Sequence, residues 1–263
     1  MKIAKLLAGI ATATALTLSQ GVFAQKSMLN DVLDNGVLKV GTTGDFNPMS
    51  FKDPATGEYD GHQIDAAKQL AKDMGVELEF VPTDWKTLIN GVVAGKYHVV
   101  MTGTSMTVGR AKAAGYTIPW GRTGYLPLTN AKNSGRFNSW DDINQPDVTV
   151  GYNLGTSFAD FVKNNLPNAK VKEVESPARD WQELLAGRVD VTISSILEAG
   201  KLSTTHEKLE IPFQEVANSL PLSFLVSQND HVWLNFMNNW MRIKIESGYF
   251  DSLNEKWGIK GQD

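Results

Sequence analysis

The residues of this chain best suited to chemistry lie in the run Thr102-Gly103-Thr104-Ser105-Met106-Thr107-Val108-Gly109-Arg110. Hydroxyls such as Thr102, Thr104 and Ser105 can donate to an anion. A guanidinium such as Arg110 can grip a carboxylate with two parallel N–H bonds. The apolar stretch Tyr97-His98-Val99-Val100-Met101 before the run reads as a strand, and Arg110-Ala111-Lys112-Ala113-Ala114 after it reads as a helix. A strand-to-helix junction exposes free backbone N–H groups at the positive end of a helix, so the segment is expected to form half of an anion site. An ordinary capped helix start has the same composition, because Ser and Thr are common N-caps. Support has to come from elsewhere in the chain.

A second loop of the same kind, Gly155-Thr156-Ser157, lies between a strand-like segment at 147–152 and a helix-like one at 158–165. If the two loops face each other across a cleft, two helix ends and Arg110 converge on a small ligand with one or two carboxylates. Phe46, Trp85 and Trp120 each lie near the end of a strand-like segment, where open α/β sheets bind ligands, and could form an apolar wall. Glu198 follows a strand-like segment at 189–194 and starts the next helix, where the helix dipole alone would also favour an acid. Other signatures are missing: no G-x-G-x-x-G or Walker loop and no G-x-S-x-G elbow. His62, His98, His206 and His231 lack metal-ligand spacing. We therefore expect no cofactor and no metal, and read His62 as structural or rim-exposed.

Those residues must be held by a fold, and the chain alternates strand-like and helix-like segments, the pattern of an α/β protein with a largely parallel sheet. The series runs strand 37–41, helix 64–74, strand 76–81, helix 85–94 and strand 97–101, with the loop Thr42-Thr43-Gly44-Asp45-Phe46 after the first strand. A polar stretch through Asn138 follows, and then the series restarts with strand 147–152, helix 158–165, strand 170–174, helix 178–186 and strand 189–194. Strand 222–226 is expected to return the chain to the first lobe. The stripe Trp233, Phe236, Met237, Trp240 and Met241 in a final helix at 232–245 is read as core packing. Residues 1–24 read as a signal peptide, with basic Lys2 and Lys5, an apolar centre from Leu6 to Leu18 and a cut after Ala24. The expected division is signal peptide 1–24, a first lobe of 25–126 plus 224–263, and a second lobe of 127–223.

Removing Lys2 and Lys5 with the leader takes the formal charge from −4 to −6, which gives no support for nucleic-acid or anionic-membrane partners. The chain has no cysteine, which excludes disulfides, thiolate metal sites and a lipid anchor at the cut site. A free monomer with no membrane anchor is expected.

Taken in order, the leader, Thr42-Thr43-Gly44-Asp45, Gly61-His62-Gln63-Ile64-Asp65, Pro82-Thr83-Asp84-Trp85, the Thr102–Arg110 run and the ending Glu246-Ser247-Gly248-Tyr249-Phe250…Lys256-Trp257 resemble the bacterial periplasmic solute-binding proteins of family 3, the polar amino-acid uptake class. The resemblance covers essentially the whole mature chain. It implies a two-lobe Venus-flytrap fold of the α/β class with two crossover strands, closure on a ligand, a periplasmic location and delivery to the permease of an ABC importer. It also implies that Arg110 grips a ligand carboxylate, helped by Ser105, Thr156 and Ser157. Asp45, Phe46, Trp85, Thr102, Thr104 and Ser195 complete the expected binding set.

Within that scaffold the chain is also similar to the cyclohexadienyl dehydratases, cofactor-free enzymes that act on prephenate or arogenate. The shared phrases include Pro82-Thr83-x-Trp85, Arg136-Phe137…Ile143-x-Gln145-Pro146 and Ile196-Leu197-Glu198-Ala199, where those enzymes carry their general-acid glutamate. Loss of water from a dienol needs a proton on the leaving hydroxyl, which a carboxyl group in a dry cleft can deliver. Three departures stand out. Asn47 replaces a lysine of the enzymes, Ser195 replaces an aspartate that contacts a substrate amine, and the second-lobe loop reads Asn153-Leu154-Gly155-Thr156-Ser157-Phe158. The expectation is a binder of a small carboxylate-bearing, aromatic or cyclic solute, with dehydration at Glu198 as the alternative.

Overall fold

The computed structural model describes residues 27–259; the leader read from the sequence lies outside them. Each lobe holds a three-stranded parallel unit. In the first, Val37–Thr42 lies between Glu77–Pro82 and Val99–Ser105. In the second, Thr149–Asn153 lies between Lys170–Val174 and Val191–Ser195. Both units thus place their strands in the order second-first-third, as the restarted series in the sequence implied. Two ten-residue strands, Gly121–Asn130 and Ala217–Val226, run antiparallel between the lobes and join the units into one ten-stranded sheet.

The hydrophobic cores divide within these crossover strands. Trp120 and Leu222 belong to the first core, whereas Tyr125 belongs to the second and Leu220 packs against it. The stripe on the helix His231–Glu246 is core, with Trp233, Met237, Trp240 and Met241 buried in the first lobe and Phe236 packed against them. Asp230 caps this helix by accepting Trp233 N at 2.9 Å, and the same carboxylate accepts Met28 N at 2.6 Å and Ser27 Oγ at 2.9 Å. One carboxylate thereby fastens the start of the described chain to its last long helix.

Four elements differ most from the sequence reading, each for a local or pairing reason. The strand expected to end at Met101 continues to Ser105, because Thr104 and Ser105 pair with Ser223 and Leu222 of the returning crossover strand. The helix expected at 110–114 is a four-residue turn, Val108–Ala111. The helix expected from Trp85 starts at Leu88, since the Asp84 carboxylate accepts Lys86 N and Thr87 N, both at 2.9 Å, and holds 84–87 in a turn. The return strand starts at Ala217, five residues before 222, because it finds a ladder partner in Tyr125 of the other crossover.

Candidate functional site

Arg110 sits one turn beyond the end of the strand Val99–Ser105. Its backbone N–H is capped by Thr107 Oγ1 at 3.2 Å. The guanidinium donates to Ser105 O at 3.1 Å and, across the cleft, to Gly155 O at 2.9 Å. Both partners are neutral carbonyls. Burial accordingly pushes the Arg110 pKa below its ordinary value, with Tyr116 and Tyr125 opposing the shift. A desolvated cation without an anionic partner is costly, and a ligand carboxylate would offset that cost.

Aromatic rings wall the cleft on both sides. Phe46 and Trp85 meet edge to face at 6.0 Å in the first lobe, and Phe158 packs edge-on against Tyr125 at 4.9 Å in the second. Ser157 Oγ accepts from Tyr125 Oη at 2.6 Å, which leaves the serine's own proton for a ligand oxygen. Thr156 Oγ1 instead donates to Asn153 O at 2.6 Å, so it forms wall rather than donor. Gly155 (φ +80°) lies so close to the opposite lobe that a Cβ there would stand 2.3 Å from the Trp85 carbonyl group and 2.4 Å from Lys86 N. The described conformation is therefore a closed one.

Glu198 lies in the first turn of the helix Ile196–Thr205, where its N–H donates to Ser195 Oγ at 3.1 Å. Its carboxylate accepts from Ser194 Oγ at 3.0 Å and from Arg179 Nη2 at 2.8 Å. Arg179 also holds Asp45 of the other lobe at 2.6 Å. Asp180 is buried beside it with its side chain on Trp181 N at 2.8 Å. Two carboxylates thus share one guanidinium, with the charge of a third nearby. Burial raises the Glu198 pKa to about 7 and outweighs Arg179, with Asp180 and Asp45 adding to the rise. Burial likewise raises Asp180 to about 6 against the pull of Arg179. Burial works against the Arg179 charge, but Glu198, Asp45 and Asp180 together raise its pKa.

The structure gathers Phe46, Trp85, Ser105, Arg110, Thr156, Ser157, Ser195 and Glu198 around one cleft, with Asp45 at its edge through Arg179 and a 3.0 Å bond from Trp85 Nε1. It does not bring Thr102 or Thr104 there. Thr102 is fully buried, with its hydroxyl 2.7 Å from Thr43 Oγ1 and 2.6 Å from Ser50 Oγ. Thr104 is buried within the strand ladder, and its hydroxyl has no partner among the described residues. Trp120 is no cleft wall: it stacks on Phe250 at 6.2 Å and on His62 at 4.6 Å inside the first core. His62 is not at a rim but buried, bonded to Asn254 at 3.0 Å, and burial lowers its pKa to about 4. The expectation of a helix end at 110 also fails, because a single turn sums too few peptide dipoles.

Sequence reading missed Arg179, Thr123 and Phe158 as cleft residues. The available signal for Arg179 was its place in the loop after the second strand of its lobe, the loop that in the first lobe carries Trp85.

Residues 38–260 match the bacterial extracellular solute-binding proteins, family 3. The chain is 30% identical to a cyclohexadienyl dehydratase of Pseudomonas aeruginosa over 92% of this chain and 90% of that one. It is 28% identical to an L-cystine-binding protein of Escherichia coli strain K12 over 96% of this chain and 94% of the relative. Among solved structures it resembles an ancestral amino acid-binding protein, a precursor of cyclohexadienyl dehydratase, with a TM-score of 0.80 and 36% identity over 88% of this chain and 99% of that one. No helix among the described residues is long and apolar enough to cross a membrane. With its two α/β lobes and crossover strands, the chain belongs to the bacterial extracellular solute-binding proteins of family 3.

Proposed function

We propose that this chain captures a small carboxylate-bearing solute with an aromatic or cyclic body between its lobes and delivers it to the permease of an ABC importer. The observation that carries the reading is Arg110, a half-buried guanidinium held on two carbonyl oxygens at the junction of the lobes. Ser157 would add a donor, and Phe46, Trp85 and Phe158 would enclose the body of the solute. Export through the leader 1–24 to the periplasm and action as a monomer belong to the same reading. A thermal-shift screen of aromatic, cyclic and aliphatic carboxylates, followed by calorimetry, tests it. Failure of every carboxylate to bind would refute it.

One observation favours a second reading. Glu198 is buried in the cleft and burial raises its pKa to about 7, so part of the population carries its proton at neutral pH. In a dehydratase reaction on prephenate, that proton would go to the leaving hydroxyl as water departs and the ring carboxylate leaves as carbon dioxide. Its relative from Pseudomonas aeruginosa carries the matching name. Following phenylpyruvate after mixing the protein with prephenate decides between the two. Turnover that Glu198→Gln abolishes would establish the enzyme reading, and its absence would leave the binder.

A further inference from the structure

The charge pattern around Arg179 bears on which carboxylates the cleft accepts. Asp45 and Glu198 come from different lobes; Glu198 lines the cleft and Asp45 stands at its edge. All four of their carboxylate oxygens already have a donor from within the chain. Asp45 Oδ1 takes Trp85 Nε1 at 3.0 Å and Oδ2 lies 2.6 Å from Arg179 Nη1. Glu198 Oε1 takes Arg179 Nη2 at 2.8 Å and Oε2 takes Ser194 Oγ at 3.0 Å. Asp180, the third acid beside Arg179, is turned onto the backbone N–H of Trp181. Ser195 offers no charge, and its hydroxyl is held by Glu198 N. On the donor side the balance is reversed. Arg110 has no carboxylate among its hydrogen-bond partners, and Arg179 Nε is buried without an acceptor among the described residues.

A ligand cation needs acceptors with negative charge, and a ligand anion needs donors. The cleft has donors left, and the charge of its acids is already paired with Arg179. We propose that Arg179 is a specificity-determining residue that occupies, from within the chain, the place between Asp45 and Glu198 where a ligand ammonium would bind, so that the cleft takes carboxylates without an α-ammonium group. This covers 2-oxo, 2-hydroxy and desamino acids and dicarboxylates, and excludes free α-amino acids. It rests on the carboxylate reading above. An entering ammonium would meet two guanidiniums, and it could take the place between Asp45 and Glu198 only by displacing Arg179, which also breaks a contact that joins the lobes.

The test uses matched pairs that differ only at the α-carbon, phenylpyruvate with L-phenylalanine and 4-methyl-2-oxopentanoate with L-leucine. Each is titrated calorimetrically into the wild-type chain, Arg179→Met and Arg179→Lys. The wild type should favour the 2-oxo acid of the better-bound pair by at least about tenfold, a gap of about 1.4 kcal/mol. Arg179→Met frees both acids and should bring the ratio to parity or reverse it, with the amino acid gaining affinity. Arg179→Lys keeps the charge but reaches only one of the two acids, so it should move the ratio the same way by a smaller factor. It decides the matter if Arg179→Met does not fold. A merely structural role for Arg179 would weaken both members of a pair equally and leave the ratio unchanged. That outcome, or a wild type that prefers the amino acid, would overturn the inference while leaving the carboxylate site standing. No binding of any acid by the wild type would overturn both.

Discussion

Replacing Gly155 with alanine should hold the lobes apart while leaving each lobe folded. Two effects separate cleanly. Alanine at φ +80° costs ~1–2 kcal/mol in any conformation, open or closed. The clash is confined to the closed state, where the new Cβ would stand 2.3 Å from the Trp85 carbonyl group and 2.4 Å from Lys86 N, and backbone atoms cannot rotate aside. Relief needs the lobes to part by nearly an ångström. That stretches the 2.9 Å bond from Arg110 to Gly155 O past hydrogen-bond range and lengthens the 2.6 Å contact from Arg179 to Asp45 to about 3.5 Å. A bond to a charged group contributes roughly 1.5–3 kcal/mol, so losing the first and weakening the second destabilises closure by about 2–5 kcal/mol and weakens a ligand of the closed form by ~30-fold or more. Because the chain has no cysteine, Lys72→Cys and Lys163→Cys place one spin label on each lobe without background. Pulsed electron–electron resonance then reads the interlobe distance with and without ligand, beside calorimetry. A Gly155→Ala protein that closes to the wild-type distance and binds within threefold would refute this account of closure.

Arg110→Ala should weaken a carboxylate ligand by about 3–5 kcal/mol in calorimetry, since the ligand's charge is left buried without its partner. Lys86→Ala should change affinity by less than about twofold, although Lys86 and Glu175 span the lobes at 2.6 Å, because both side chains are more than half exposed. Glu198 makes stability fall with rising pH. Its pKa goes from 4.5 to about 7 on burial, so in that window the folded state holds a proton that the unfolded state has released. The contribution is full below about pH 4.5 and is lost as pH rises through 7, on the order of 1–3 kcal/mol. Melting temperatures across this range should flatten in Glu198→Gln, apart from a smaller drop of the same sign from Asp180, and an unaltered slope would contradict the assignment.

Local chemistry made part of this site legible. Arg110, Ser157 and Glu198 stand at strand ends, and the repeat of strand, glycine-hydroxyl loop and helix exposed the second lobe as a restatement of the first. What stayed hidden depended on distant partners. Thr102 and Thr104 looked like loop hydroxyls because nothing nearby in sequence announces that Ser223 pairs with Thr104. Trp120 sits next to a crossover strand, where the side chain can turn to the cleft or to the core, and the rings of His62 and Phe250 settle it inward. Arg179 has no motif at all. Its partners are Asp45, 134 residues away, and Glu198, 19 residues away, and only the folded chain brings those three charges together.

The way the chain threads between the lobes also sets an order for their assembly. The second lobe is an uninterrupted stretch whose ends are neighbours, since Tyr125 pairs with Ala217. All its contacts are available as soon as that stretch has been made. The first lobe has no such autonomy. Its third strand Val99–Ser105 pairs with Leu222, Ser223 and Leu225, its core includes Trp233 and Met241, and Met28 is fastened to Asp230. A polypeptide made from its N-terminus can therefore complete the later lobe first, while the earlier one waits with one edge of Val99–Ser105 unpaired and its core short of Trp233 and Met241. That interval is when the chain is most open to aggregation and to helper proteins that bind unfolded segments.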